Sequence, residues 1–335
     1  MNFARGFPSY PPLVTLFALM FPHPPLDSDG SSPLSVAGKA ILVGEHFAVY
    51  GASALAVALP DAVRVRSVDA SRLELSVPQW NATFPADASG SPLSQAFAQL
   101  LEALPASKPM RLELSIAVPT GVGLGSSASI GVAVLRALGR ANGWSYSDEE
   151  QYALLFHWER VFHGTPSGLD HAAALREGLT RFRRFEEPPL VALPLSHPLH
   201  LVLAHVSEGA STKAMVEHVR VWREAHRAIF DALLASAEDR AERLVRALDG
   251  GAHAEAGVVL DENQQDLQRI GVSSPALDAA CARARAAGAF GAKLVGAGGG
   301  GCVVARTDAA RFLPVRAALD DVSLVTIPLH LPVSH

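Results

Sequence analysis

Apolar and polar residues alternate along 62–67, 73–77 and 111–118, the last segment placing Leu112, Leu114, Ile116 and Val118 on one face. A period of two is that of a half-buried strand, so strands are expected at all three. Residues 35–60 read as a strand, a turn and the start of an apolar helix. Residues 93–104 have helical texture, and Ile130, Val134 and Leu138 recur every fourth position along a further helix. Ser147-Asp-Glu-Glu150 is a capping-box sequence and predicts a helix running to about His163. Pro166 and Gly168 break the chain there, ahead of another short helix. The second half changes texture. A strand at 199–206 precedes long helical stretches at 212–247, 252–270 and 275–287. Strands at 291–295 and 302–306 then flank a glycine run, and a helix and a final strand at 323–327 follow. The pattern predicts an N-terminal α/β domain and a C-terminal α+β domain, divided near residues 180–200, with no internal repeat.

Composition narrows the function. The 335 residues, 49% of them hydrophobic, suffice for one large α/β unit or two fused domains. The net charge is −5 with both signs spread along the chain. No basic block points to nucleic acid, and an anionic ligand must be held by a local site. Cys281 and Cys302 lack metal-ligand spacing and fit free thiols in a reducing cytoplasm. No histidine pair has HExxH spacing. The first 34 residues are rich in proline, and their apolar run at 13–21 is far shorter than a membrane span. They read as a mobile N-terminal extension or an over-called start, not a targeting signal or membrane anchor.

The strongest chemical signal is Pro119-Thr-Gly-Val-Gly-Leu-Gly-Ser-Ser-Ala-Ser129, between an expected strand and an expected helix. Gly121, Gly123 and Gly125 allow sharp turns and close backbone approach, while Ser126 and Ser127 fall at a helix start, where free N–H groups favour an anion. No Gly-Lys-Ser/Thr follows, so it is not a Walker A loop, and no βαβ unit surrounds it as a dinucleotide fingerprint requires. Glycine spacing alone is equally compatible with a plain tight turn.

The segment resembles the central ATP-binding motif of the GHMP kinases. Two further segments resemble motifs of that superfamily in the right order: Gly38-Lys-Ala-Ile-Leu-Val-Gly-Glu-His46 running on to Val49-Tyr50-Gly51, and Lys293-Leu-Val-Gly-Ala-Gly-Gly-Gly-Gly-Cys302. Gly-Glu-His-x-x-Val-Tyr-Gly at 44–51 and His163-Gly-Thr-Pro-Ser-Gly-Leu-Asp170 are most similar to the mevalonate kinase branch, and the resemblance covers about residues 35–328. Ala37, Thr165, His171 and Val295 depart from the commoner pattern, Val295 standing where many relatives carry threonine.

The resemblance implies a two-domain GHMP kinase fold: a ribosomal-S5-like ATP-binding domain at 35–190 and a ferredoxin-like α+β domain at 191–335. It implies ATP-dependent phosphorylation of the primary hydroxyl of mevalonate, with phosphomevalonate or sugar kinase activity, or a non-catalytic homologue, as alternatives. Asp170 is the implied base with Lys39 beside it. ATP is implied to lie on Pro119, Gly121, Val122, Gly123, Leu124, Gly125, Ser126, Ser127, Ala128 and Ser129. Magnesium is implied on Ser127 and Glu159. Glu45, His46, Ser211, Thr212, Gly296, Ala297 and Gly298 are implied at the acceptor, although Ser211 and Thr212 equally fit a helix cap and the glycines equally fit domain packing. The expected setting is the cytoplasm, with a small-molecule partner, no nucleic acid or membrane, and room for a homodimer.

Overall fold

The computed structural model describes residues 32–334, so all but the last few residues of the proline-rich segment lie outside the described residues. Two sheets divide the chain. The first contains β1 (Leu34–Val43), β2 (Ala54–Val68), β3 (Glu74–Val77), β4 (Ala82–Pro85), β5 (Arg111–Ile116), β6 (Leu179–Phe182) and β7 (Leu190–Leu193). Its order is β4-β3-β5-β2-β6-β7, with β1 also paired to β2. The second has the order β11-β8-β10-β9, built from β8 (Leu199–Ser207), β9 (Gly291–Val295), β10 (Gly301–Thr307) and β11 (Val325–Leu331).

β2 organises the first sheet. Its early part, Ala54 to Val57, pairs with β6, and its later part, Val63 to Val68, pairs with β5. The change of partner falls at Pro60-Asp61. Asp61 has φ +56°, and its carboxylate is held by Ser35 Oγ at 2.7 Å and Arg64 Nε at 2.8 Å. The expected apolar helix start before residue 60 is therefore wrong: Ala54-Leu-Ala-Val-Ala-Leu59 is strand. Alanine's helix preference is a weak one, and pairing with β1 and β6 outweighs it.

Helices α1 (Pro92–Glu102), α2 (Ser126–Asn142), α3 (Asp148–His163) and α4 (Leu169–Ala174) belong to the first half. α2 packs on β1 and β2 through buried Ala128, Val132 and Leu135. The capping box at α3 is formed in both directions between Ser147 and Glu150. In the second half, α5 (Thr212–Ala225) packs on α3 and on α6 (Arg227–Asp249), and α6 packs on α7 (His253–Arg269), while α7, α8 (Pro275–Ala286) and α9 (Phe312–Asp320) pack on the four-stranded sheet. The expected single helix over 212–247 is broken at His226, whose φ of −131° leaves the helical region. Its ring stacks on Trp222 with centroids 4.5 Å apart, and Nδ1 lies 2.9 Å from the Trp222 carbonyl. No described helix is long and apolar enough to cross a membrane.

Candidate active site

The glycine-rich loop leaves β5 and enters α2. Val122 and Leu124 are buried, while Gly121, Gly123 and Gly125 have φ near +77°, +89° and +77° and line a cleft of about 500 Å³. Alternation thus anchors the loop on one side and bares its backbone on the other. The positive φ favours glycine at all three, and space forbids a side chain at two. A Cβ on Gly123 would lie 2.6 Å from the Val295 carbonyl, and one on Gly125 2.8 Å from Lys39 Cγ. Not every motif residue reaches the cleft. Thr120, Ser126 and Ser127 line it, whereas Pro119 does not. Ala128 is buried core, and Ser129 Oγ lies 2.8 Å from the Ala37 carbonyl, tying the first turn of α2 to β1. Gly125 caps α2, so the positive end of a 17-residue helix opens on the cleft beside Ser126 and Ser127.

Lys39, from the middle of β1, is nearly buried and places Nζ 2.8 Å from Asp170 Oδ1 and 3.2 Å from the Gly123 carbonyl. Asp170 lies in the first turn of α4, its side chain about 25% exposed toward the cleft. Burial pushes its carboxyl upward, but the Lys39 ammonium and then His163 outweigh this and hold it at about 2. It is therefore ionised throughout the neutral range.

Glu159, on the buried face of α3, has no exposed surface, and burial raises its pKa against the opposing pull of His163 and the Ser127 side chain. His163 Nε2 stands 3.1 Å from Glu159 and 3.6 Å from Asp170. Burial disfavours the charged imidazole, yet the two carboxylates leave its pKa raised. Glu159, His163 and Asp170 each bring one ligand atom within 4.8 Å of the others. Neither Glu159 oxygen has a well-formed hydrogen bond. A buried carboxylate so placed fits a hard divalent cation, which satisfies its oxygens and reverses the desolvation cost. In the sequence His163 stands i, i+4 from Glu159 and opens the motif that ends at Asp170; the fold sets it between the two carboxylates.

The residues expected at the acceptor separate. His46 adopts φ +62° and its Nε2 lies 2.9 Å from the Ala297 carbonyl. Burial depresses its pKa, so the ring is neutral, Nε2 donates to the carbonyl and Nδ1 remains an acceptor. Glu45 reaches the cleft wall, but its carboxylate is committed to a buried ion pair with Lys293 and accepts from Asn263 Nδ2 at 3.1 Å. Gly296 and Ala297 line the cleft. Gly298 instead packs behind it, where a Cβ would lie 2.1 Å from the Val272 carbonyl. Ser211 caps α5 by accepting from the Ala214 N–H at 3.2 Å, and with Thr212 also lines the cleft. The Val295 side chain is buried in the core and does not face the cleft. Trp80, Ile130 and Phe162 line the same space, and sequence reading singled out none of them for the site.

Sequence comparison matches residues 92–178 to the GHMP kinases N terminal domain and residues 238–321 to the GHMP kinases C terminal domain. Mevalonate kinase of Aeropyrum pernix is 32% identical over 281 residues, covering 81% of this chain and 86% of that protein. The chain belongs to the GHMP kinases, in the mevalonate kinase family. Mevalonate kinase of Methanothermobacter thermautotrophicus is 30% identical over 280 residues, covering 82% of this chain and 89% of its own. Among solved structures, L. major mevalonate kinase, crystallised in complex with R-mevalonate, superposes with a TM-score of 0.77 at 26% identity, covering 93% of this chain and 99% of that one. The two-domain GHMP fold is accordingly the fold of this chain, and membership of a kinase family carries ATP use with it.

Proposed function

We propose that the chain transfers the γ-phosphoryl group of ATP to the primary hydroxyl of (R)-mevalonate, giving 5-phosphomevalonate and ADP. The observation that carries this reading is the Lys39–Asp170 pair, 2.8 Å apart, in one cleft with the bared loop backbone and the N-terminus of α2. Phosphoryl transfer asks chiefly for positioning and charge stabilisation. Backbone N–H groups of the loop and first turn of α2 hold the phosphates. Asp170 orients the acceptor hydroxyl. A carboxylate held at about 2 is a weak base, so it takes the proton late, once the attacking oxygen has begun to bond phosphorus. Lys39 stabilises the negative charge on that oxygen. Magnesium, when bound, neutralises phosphate charge; Glu159 and Ser127 would hold it, with His163 and Asp170 adjoining.

The phosphate-holding residues fall in a nucleotide domain assigned to 35–190. His46 on that side and Ser211, Thr212, Gly296 and Ala297 of the 191–335 domain are assigned to the acceptor. Against a phosphorylated acceptor, Lys39 is the only Lys or Arg lining the cleft among the described residues. Arg181, Arg183 and Arg184, the sequence's other candidates for a substrate phosphate, do not line the cleft: Arg181 and Arg183 pair with Glu186, Arg183 also with Glu238, and Arg184 lies 3.2 Å from the Val49 carbonyl. The buried position of Val295 supports only a modest effect of its lost hydroxyl on acceptor affinity. A reducing cytoplasmic setting accords with the two buried free thiols. The test is ADP release from mevalonate, phosphomevalonate, galactose and homoserine under varied magnesium. Mevalonate should give the highest kcat/KM, and Glu159→Gln should raise the magnesium requirement. Faster turnover of another acceptor, or a superimposable magnesium titration, would sink the corresponding assignment.

A further inference from the structure

We propose that His171 is a positioning residue for phosphoryl transfer, acting through water held in a side pocket next to Asp170. The pocket, about 60 Å³, shares Asp170, His163 and Thr212 with the main cleft and adds Glu159, Thr165 and His171. His171 has no exposed surface. Its ring is clamped by two aromatic side chains one turn apart on α3. Tyr152 lies 4.8 Å away between ring centroids, and Phe156 meets it edge-on at 4.6 Å. Gly168, which caps α4, meets the same two rings: a Cβ there would collide with the Tyr152 hydroxyl and approach Phe156 Cζ to 3.2 Å. α4, which carries Asp170, is thus seated on α3, which carries Glu159 and His163, with the imidazole as the wedge between them.

An apolar wedge would serve packing alone. Neither nitrogen of His171 hydrogen-bonds to any described residue. Buried polar atoms without a partner are few in folded proteins, and each calls for one. Burial, aided by His163 and opposed by Asp170, holds the ring at about 4, so near pH 7 it is neutral and offers one donor and one acceptor. Around the same pocket, both Glu159 oxygens and His163 Nδ1 also lack a well-formed hydrogen bond among the described residues. A water site needs room and two to four polar partners. At about 15 Å³ each, the pocket admits about four waters. Lys39 holds Asp170 Oδ1, while Oδ2 is the oxygen nearer His163, 3.6 Å away. Waters anchored on His171 fix that second oxygen and the Glu159 carboxylate in place. Catalysis by positioning is sensitive to shifts of this kind, since a displacement of about 1 Å can cost about 10²-fold in rate.

This inference rests on the reading of Asp170 as the group that orients the acceptor, but not on the identity of the acceptor, so the kinetics use whichever acceptor gives the highest kcat/KM. The test compares wild type, His171→Leu and His171→Asn as full-length protein. Leucine is close to histidine in size and removes both nitrogens, whereas asparagine keeps a donor and an acceptor. His171→Leu should lower kcat about tenfold and leave KM for ATP and acceptor within about threefold. Its denaturation midpoint should equal or exceed that of the wild type, because an apolar group in the clamp has no hydrogen bonds to satisfy. His171→Asn should keep kcat within about threefold. Crystals of the magnesium-free wild type should show ordered water within hydrogen-bond distance of a His171 nitrogen. Wild-type kcat in His171→Leu, a loss of kcat accompanied by a lowered midpoint, equal losses in the two variants, or a dry pocket in the wild type each overturns the proposal. Should His171→Leu fail to fold, kcat of His171→Asn and the wild-type crystal decide. Undiminished turnover in Asp170→Asn would remove the Asp170 reading and the positioning role with it, whereas a dry pocket removes the positioning role alone.

Discussion

At the scale of single residues, the catalytic pair turns on one electrostatic balance. Burial alone would neutralise Asp170, and the ammonium of Lys39 at 2.8 Å reverses the outcome. The folded-state value of about 2 lies below the ordinary 3.8. Stability contributed by the ionised carboxylate is therefore complete above pH 3.8 and is lost only as pH falls through about 2. An acid limb of kcat above pH 4 must then come from other groups. We expect Asp170→Asn to lower kcat by about 10²–10⁴-fold, the usual worth of a positioned proton acceptor, with KM for ATP little changed. Steady-state kinetics from pH 5 to 9 check both statements. Near-normal turnover would remove Asp170 from the chemistry.

Among the elements, α7 and the start of β9 approach closely in the second half. A Cβ on Gly257 would sit 2.1 Å from the Phe290 carbonyl, and one on Gly291 2.0 Å from the Gly257 carbonyl. Backbone cannot yield as a flexible side chain does, so the helix must lift. Gly257→Ala should destabilise the protein by about 1–3 kcal/mol, the range for overpacking, despite alanine's better helix propensity. Chemical denaturation measures this, and a stabilised variant would contradict the packing. The sequence read α7 as a helix from its periodicity, but gave no sign that this glycine faces a strand. It likewise gave the capping box of α3 correctly, because Ser147 and Glu150 are three residues apart and satisfy each other locally.

Across the whole molecule, a buried polar junction joins the two sheets. Glu45 follows β1, and Lys293 comes from β9; they form an ion pair, with Asn263 of α7 as a further partner. The Lys293 ammonium lies 3.4 Å from the Ile41 carbonyl, and burial depresses its pKa. Such a pair costs desolvation when formed, but removing one partner strands the other. Lys293→Met should therefore destabilise by about 3–5 kcal/mol, and Glu45→Gln with Lys293→Met by clearly less. Denaturation midpoints of both variants provide the check; equal losses would show that the pair is not coupled. The His46 ring is held against Ala297 across the same junction, so the single variant should also impair acceptor binding.

Local chemistry was legible in the sequence. A strand's period of two, a capping box, glycines that require positive φ and a carboxylate after Pro-Ser-Gly all act within a few residues, and motif order was enough to imply the GHMP fold. Three-dimensional contacts decided the rest. Ala54–Val68 is a strand because β1, β5 and β6 pair with it, against what its alanines suggest. Ala128 and Ser129 belong to the motif but serve the core and β1, because a helix turns its side chains away from the cleft every few residues. Glu45 reads as a ligand contact beside His46 until Lys293, distant in sequence, arrives next to it. Trp80 reads as nothing in particular until the fold places it on the wall of the cleft. Burial and partnership are properties of the folded chain, and no window of sequence contains both members of such pairs.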